Sequence, residues 1–113
     1  MLGDTQHFRD VRRRIASLIK AHEPLFIVQC GDMVNLGYSN SLWSEWFDDM
    51  QDLISAIPLM PVMGNHDNYC MQMHGLCSKM YEQFALPDNG IPPKKGILVF
   101  HRCSGSAFHD AQF

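Results

Sequence analysis

Three short loops constrain this chain more than any other feature of its sequence: Gly3-Asp4-Thr5-Gln6, Gly31-Asp32-Met33-Val34 and Gly64-Asn65-His66-Asp67. The second and third each follow an apolar run. Asp32 lies 28 residues after Asp4, and Asn65 lies 33 residues after Asp32. Each interval is about one strand-plus-helix unit, so the three loops are expected at one edge of one sheet. A glycine at the end of a strand lets the backbone turn sharply and aim the next side chain into a site.

The segments between the loops fit that arrangement. Residues 8–22 read as a helix, with Phe8, Val11, Ile15, Leu18 and Ile19 on one face. Pro24 ends it. The run Leu25-Phe26-Ile27-Val28-Gln29-Cys30 reads as a strand buried on both faces. Residues 41–56 read as a second helix. Its apolar stripe is Trp43, Trp46, Phe47, Met50, Leu53 and Ile54, and its polar face carries Glu45, Asp48, Asp49 and Asp52. An aromatic stripe at that spacing is expected to be core. Residues 58–63 read as a third strand, with Pro58 at its start and Pro61 where no ladder bond is needed.

Strands alternating with helices give the α/β class, with parallel strands and right-handed crossovers. A first strand belongs before Asp4, where only Met1-Leu2-Gly3 stand. Three residues are too few to build it, so the expectation is a chain cut at its N-terminus or started at an internal Met.

Composition narrows the function. The net charge is -3, which gives no basic field for nucleic acid. The cluster Arg12-Arg13-Arg14 is expected on the solvated face of the first helix. No run approaches the roughly 20 apolar residues of a membrane helix. The start has no signal-peptide character. A cytoplasmic location is the default for a chain that begins at Met1. Cys30, Cys70, Cys77 and Cys103 show no zinc spacing. Cys30 reads as a buried thiol, and Cys70 with Cys77 could close a short disulfide in an oxidising compartment. Methionines 60, 63, 71, 73 and 80 read as gap-filling residues, and His7, His22 and His74 as surface or helix-end residues.

In an open parallel sheet, ligands bind beyond the carboxyl ends of the strands. Carboxylates and amide oxygens gathered there suit hard or borderline cations. Two such ions about 3.5–4 Å apart clamp a phosphate and acidify a bridging water. A neighbouring His can protonate a leaving oxygen.

Gly64-Asn65-His66-Asp67, placed after an apolar strand and downstream of a strand-Gly-Asp loop, resembles the signature of the calcineurin-like metallophosphoesterases. The resemblance covers about residues 1–90. Trp43-Ser44-Glu45-Trp46-Phe47, Ile57-Pro58 and Tyr81-Glu82-Gln83-Phe84-Ala85-Leu86-Pro87 resemble the purple-acid-phosphatase-like branch. The resemblance implies a partial parallel βαβαβ layer of the family's sandwich, truncated at both ends. It implies hydrolysis of phosphate esters by two divalent or mixed-valence ions drawn from Fe, Zn, Mn and Mg. Asp4 would bind the first ion, Asp32 would bridge both, and Asn65 would bind the second. His66 would be the catalytic His, and Asp67 would support the loop by hydrogen bonding.

Departures from the family pattern qualify that picture. The first motif is usually Asp-x-His, and Gln6 takes the His position here, so one nitrogen ligand is either absent or replaced by a weaker amide ligand. Asn35 stands where purple acid phosphatases proper carry a Tyr ligand. The family's later Gly-His-x-His loop has no counterpart among residues 1–113. The expected organisation is an N-terminal part of the phosphoesterase domain over residues 1–95 and a tail of uncertain origin over 96–113. Residues 96–100 could form a strand, and the following residues read as out of frame or misjoined. The alternative function is a catalytically incomplete fragment that holds a metal or phosphate weakly, or an interaction module. An unrelated nucleotide-binding domain is disfavoured, because no glycine-rich phosphate loop is present.

Overall fold

A computed structural model describes residues 1–68 and 79–84. Its elements run α1 (Arg9–Ala21), β1 (Ile27–Cys30), α2 (Asn40–Ile54), β2 (Leu59–Val62) and α3 (Lys79–Gln83). Strands β1 and β2 are parallel, with Ile27 opposite Leu59 and Cys30 opposite Val62. This is the mixed α/β architecture expected from the alternation of apolar runs and amphipathic segments. Expected strands at 96–100 and the Cys70–Cys77 pair lie outside the described residues. No described helix is long and apolar enough to cross a membrane.

The segment before Asp4 occupies the position of a strand. Leu2 forms a parallel bridge with Gln29 on the free side of β1. The Leu2 N–H donates to the Val28 carbonyl at 2.8 Å, and the Cys30 N–H donates to the Leu2 carbonyl at 2.6 Å. The spatial order is therefore Leu2, β1, β2, and the three glycine-led loops leave this sheet from the same edge.

β1 is shorter than the apolar run that announced it. Leu25 is 89% exposed and Phe26 53%. Glu23 sits in the left-handed region (φ 47) and Pro24 follows, so the chain turns before it can pair. Pairing begins where the Ile27 N–H reaches the Pro58 carbonyl at 2.9 Å. Pro61 lies within β2 opposite Gln29, and β2 is the edge strand among the described residues, where a missing N–H is tolerated.

Helix α2 forms as expected. Ser39 caps its start, with its side chain accepting from the Leu42 N–H. Trp43, Trp46, Met50 and Leu53 are buried, with Phe47 and Ile54 packed beside them. The rings of Trp43, Trp46 and Phe47 meet Phe84 at the end of α3, with centroids 5.4–6.4 Å apart. These are edge-on or tilted contacts, the arrangement aromatic pairs favour. Met33, Met63 and Met80 fill the same core. Cys30 is buried. His7 and His22 are exposed.

Helix α1 corrects two expectations. Its buried residues are Arg12 and Ala16, with Ile15 and Ile19 half-buried. Phe8, Val11 and Leu18, expected to face the core, are 80%, 54% and 55% exposed. Arg12, expected in solvent, is 4% exposed. The cause lies across the interface, where Asp49 of α2 is buried instead of solvated. Its carboxylate accepts from Arg9 Nη2 at 2.8 Å, Arg13 Nε at 2.7 Å and Arg12 Nε at 3.0 Å, with Arg12 Nη2 closer still. Glu45 adds a contact to Arg12 at 3.3 Å. These charge-assisted bonds set the arginine side of α1, and not Val11 and Leu18, against α2. Burial alone would raise the Asp49 carboxyl. The hydrogen bonds from Arg9 and Arg12, the Arg12 charge and the Arg13 bond together hold it far below the usual carboxylate range.

Candidate metal centre

The loops that carry the expected site residues are tied to one another by hydrogen bonds from backbone N–H groups. The Asp4 N–H donates to the Gly31 carbonyl at 3.2 Å, joining the first loop to the second. The His66 N–H donates to Asp32 Oδ1 at 3.0 Å, joining the second to the third. The Gly37 N–H donates to the His66 carbonyl at 3.0 Å and closes the far side.

Two glycines make this approach feasible. Gly31 has φ +76, and a Cβ there would stand 2.5 Å from the Gly64 Cα. A Cβ on Gly64 would stand 2.2 Å from both Asp32 N and Asp32 Oδ1. Any side chain at either position would push the second and third loops apart. Asp4 and Asp32 themselves hold left-handed backbone angles, φ 52 and φ 53. Non-glycine residues adopt that region at a cost, and such strain gathers at functional sites.

Asp67 is fully buried and organises the loop pair. Its Oδ1 accepts the N–H groups of Met33 at 2.8 Å and Val34 at 3.0 Å. Its Oδ2 accepts the Gly64 N–H at 2.9 Å. Burial pushes its carboxyl above the ordinary value. The N–H groups of Val34, Gly64 and Met33 pull it back, and the charge of Asp32 adds to the upward push. N–H groups from the second and third loops thus converge on this one carboxylate.

His66 is half-buried, and its Nδ1 lies 3.0 Å from the Asn35 carbonyl. A carbonyl only accepts, so Nδ1 carries the proton and Nε2 is the ring atom left to exchange one. Asn35 therefore enters the site through its backbone, a role its side-chain identity does not announce.

Asp4 and Asn65 are exposed, Asp32 half-buried. Among the described residues no three of His, Cys, Asp and Glu gather closely enough to hold a metal ion by themselves. Amide oxygens can ligate a cation as well. Gln6 Oε1 is buried without a hydrogen-bond partner among the described residues, an acceptor that a cation would satisfy. Two carboxylates and two amide oxygens on three adjoining loops fit part of a centre for a hard divalent cation.

Two residues that the sequence assigned to the core and to solvent, and not to the site, reach the first loop. Trp46 Nε1 donates to Thr5 Oγ1 at 2.9 Å, and Arg12 Nη1 donates to the Thr5 carbonyl at 2.7 Å. Trp43 Nε1 reaches the second loop, donating to the Gly37 carbonyl at 2.9 Å. Tryptophans that bury their rings tend to find a partner for the N–H, which is the one sequence-level signal for these contacts.

A family model described as calcineurin-like phosphoesterase matches residues 1–105. Two uncharacterized proteins of Mycobacterium tuberculosis, one from strain CDC 1551 / Oshkosh and one from strain ATCC 25618 / H37Rv, are each 32% identical over 95 residues. The match covers 81% of this chain and 18% of theirs, so the chain spans less than a fifth of the length of these relatives. No solved structure matches it.

Proposed function

The chain belongs to the calcineurin-like phosphoesterase family, and from that premise we propose that it forms one wall of a two-metal centre that hydrolyses phosphate esters. The observation that carries this reading is the coupling of Asp32 to the Asn65-His66 loop through the His66 N–H, at 3.0 Å. It supports a reading in which Asp32 serves as the bridging carboxylate, Asn65 as an amide ligand and His66 as the proton donor.

In this reading Asp4, Asp32 and Asn65 hold the cations, with Gln6 as a substitute ligand. Bound cations supply water activation and a clamp on the phosphate. The chain's own residues do the rest. Asp67 fixes the second and third loops by three N–H bonds. The Asn35 carbonyl holds the His66 ring by Nδ1, so that Nε2, once protonated, can hand a proton to the departing ester oxygen. The purple-acid-phosphatase-like branch is the branch whose motifs this sequence resembles.

The test is metal content after dialysis together with aryl-phosphate hydrolysis, comparing the wild-type chain with Asp32→Ala. Two metals per chain and turnover, both lost in the variant, support the reading. A second reading is favoured by the lack of any three-residue His, Cys, Asp and Glu group among the described residues. There the chain binds one cation or a phosphate weakly and does not turn over. Wild-type chain with at most one weakly held metal and no hydrolysis decides for it.

A further inference from the structure

Thr5 stands between Asp4 and Gln6 and is 6% exposed. Side chains from three elements converge on it. Arg12 of α1 donates Nη1 to its carbonyl at 2.7 Å. Trp46 of α2 donates Nε1 to its Oγ1 at 2.9 Å. Gln29 of β1 lies with Nε2 3.4 Å from the same Oγ1 and 3.0 Å from the Gly31 carbonyl, which itself accepts the Asp4 N–H. The guanidinium of Arg12 is in turn held on Asp49, whose side chain is 0% exposed. Asp4, by contrast, is exposed, and its carboxylate makes no hydrogen bond among the described residues.

We propose that Arg12, locked by Asp49, is a positioning residue that sets the place of Asp4 at the metal centre by holding the Thr5 carbonyl. This inference rests on the metal-centre reading above. Its physical basis is the contrast between an exposed carboxylate at φ 52 and a next residue that is buried and bonded from three sides. The backbone of Asp4 cannot shift without moving Thr5. Thr5 cannot shift without breaking bonds to α1 and α2. Removing Arg12 leaves the Thr5 carbonyl unpaired and releases one of those three restraints. Outer groups that orient a metal ligand typically change metal affinity by about 10–100-fold when removed.

The experiment is a double-mutant cycle on Mn2+ affinity, measured by isothermal titration of the full 113-residue chain. Its members are wild type, Asp4→Asn, Arg12→Met and the double variant, each shown to be folded by circular dichroism. If Arg12 acts through Asp4, Arg12→Met weakens Mn2+ binding about tenfold in the wild-type background. It then adds little in the Asp4→Asn background, because the ligand it positions is already lost. Arg12→Lys, which keeps the charge and loses the fork, falls between wild type and Arg12→Met. An equal loss in both backgrounds marks a general structural effect and overturns the proposal. So does a Mn2+ site that Asp4→Asn weakens and Arg12→Met leaves untouched, with the metal-centre reading intact. Absence of Mn2+ binding by the wild-type chain overturns that reading and this inference together. If Arg12→Met does not fold, Trp46→Phe takes its place in the cycle. It removes the Nε1 donor to Thr5 together with part of a buried ring; the ring loss acts equally in both Asp4 backgrounds, so the same pattern in the cycle supports or overturns the idea that Thr5 anchors Asp4.

Discussion

Asp32 and His66 are joined by one hydrogen bond, from the backbone N–H of His66 to Asp32 Oδ1 at 3.0 Å, and Gly64 leaves just enough room for it. A Gly64→Ala methyl would fall 2.2 Å from Asp32 N and Oδ1. One of those atoms is backbone and has no cheap way to yield. Gly64→Ala is therefore expected to lower stability by about 1–3 kcal/mol, the usual cost of overpacking. It should also abolish the coupling of the two loops. Urea unfolding gives the first effect, and the amide chemical shift of His66 gives the second.

Asp67→Asn tests whether the carboxylate is chosen for its acceptors. The Asn Oδ1 could still accept from Met33 and Val34, but the amide nitrogen would then face the Gly64 N–H, donor against donor. Leaving that N–H buried and unpaired should cost about 1–3 kcal/mol. Hydrogen exchange at Gly64 should speed up more than exchange at Met33 or Val34. Equal acceleration at all three would point instead to general loosening of the loops.

Acid should unlock α1 from α2. Asp49 has a carboxyl held far below the usual range in the folded chain. A depressed folded value means that its contribution is fully present above the unfolded value of about 3.9. That contribution fades as pH falls from there toward the folded value. The urea midpoint should lose more between about pH 4 and pH 2 in wild type than in Asp49→Asn. At pH 7 the variant should be less stable by about 2–3 kcal/mol, below the figure for total loss of a buried partner because the amide oxygen still accepts. Parallel acid profiles in the two proteins would contradict this account.

Trp43 and Trp46 show how an aromatic core and a polar loop are served by one residue. The sequence marks both as core by their spacing, and both are buried. Their N–H groups then tie the second and first loops to α2. Trp43→Phe should keep an aromatic ring in the core and cost about 1–3 kcal/mol, from the lost bond to Gly37 and the smaller ring. Trp43→Ala should lose about 3–5 kcal/mol by emptying the core as well. Thermal or urea unfolding of the pair separates the two contributions.

The alternation of strands and helices was readable because apolar runs and amphipathic stripes are local. The three loops were readable because each sets a glycine before an acidic or amide residue at the end of a strand, which is a local pattern. What sequence could not yield were relations across the fold. Arg12 looks like one of three solvated arginines until Asp49 is placed opposite it. Asn35 acts through its carbonyl, and any residue has one. Thr5 is anchored by three partners 7, 24 and 41 residues away, which no local pattern encodes. Leu25 and Phe26 look like strand but follow the turn at Glu23 and Pro24, and among the described residues pairing with β2 begins only at Ile27.

The roll of α1 is the most direct test of that distinction. Helical periodicity assigns Val11 and Leu18 to the core, whereas the Arg12–Asp49 pairing turns them to solvent at 54% and 55% exposure. If the pairing governs, Val11→Lys and Leu18→Lys should each change stability by no more than about 0.5 kcal/mol, as exposed substitutions usually do. Ala16, 5% exposed against α2, should behave in the opposite way. Ala16→Leu would force three extra carbons into the seam between the helices and should cost about 1–3 kcal/mol. It should also pull Arg12 off Asp49, so the acid profile of Ala16→Leu should flatten toward that of Asp49→Asn. Urea midpoints for the three variants at pH 7 and pH 3 check both statements. Large losses from the two lysine substitutions, with Ala16→Leu tolerated, would show that the aliphatic face of α1 and not its arginines sets how the helix lies.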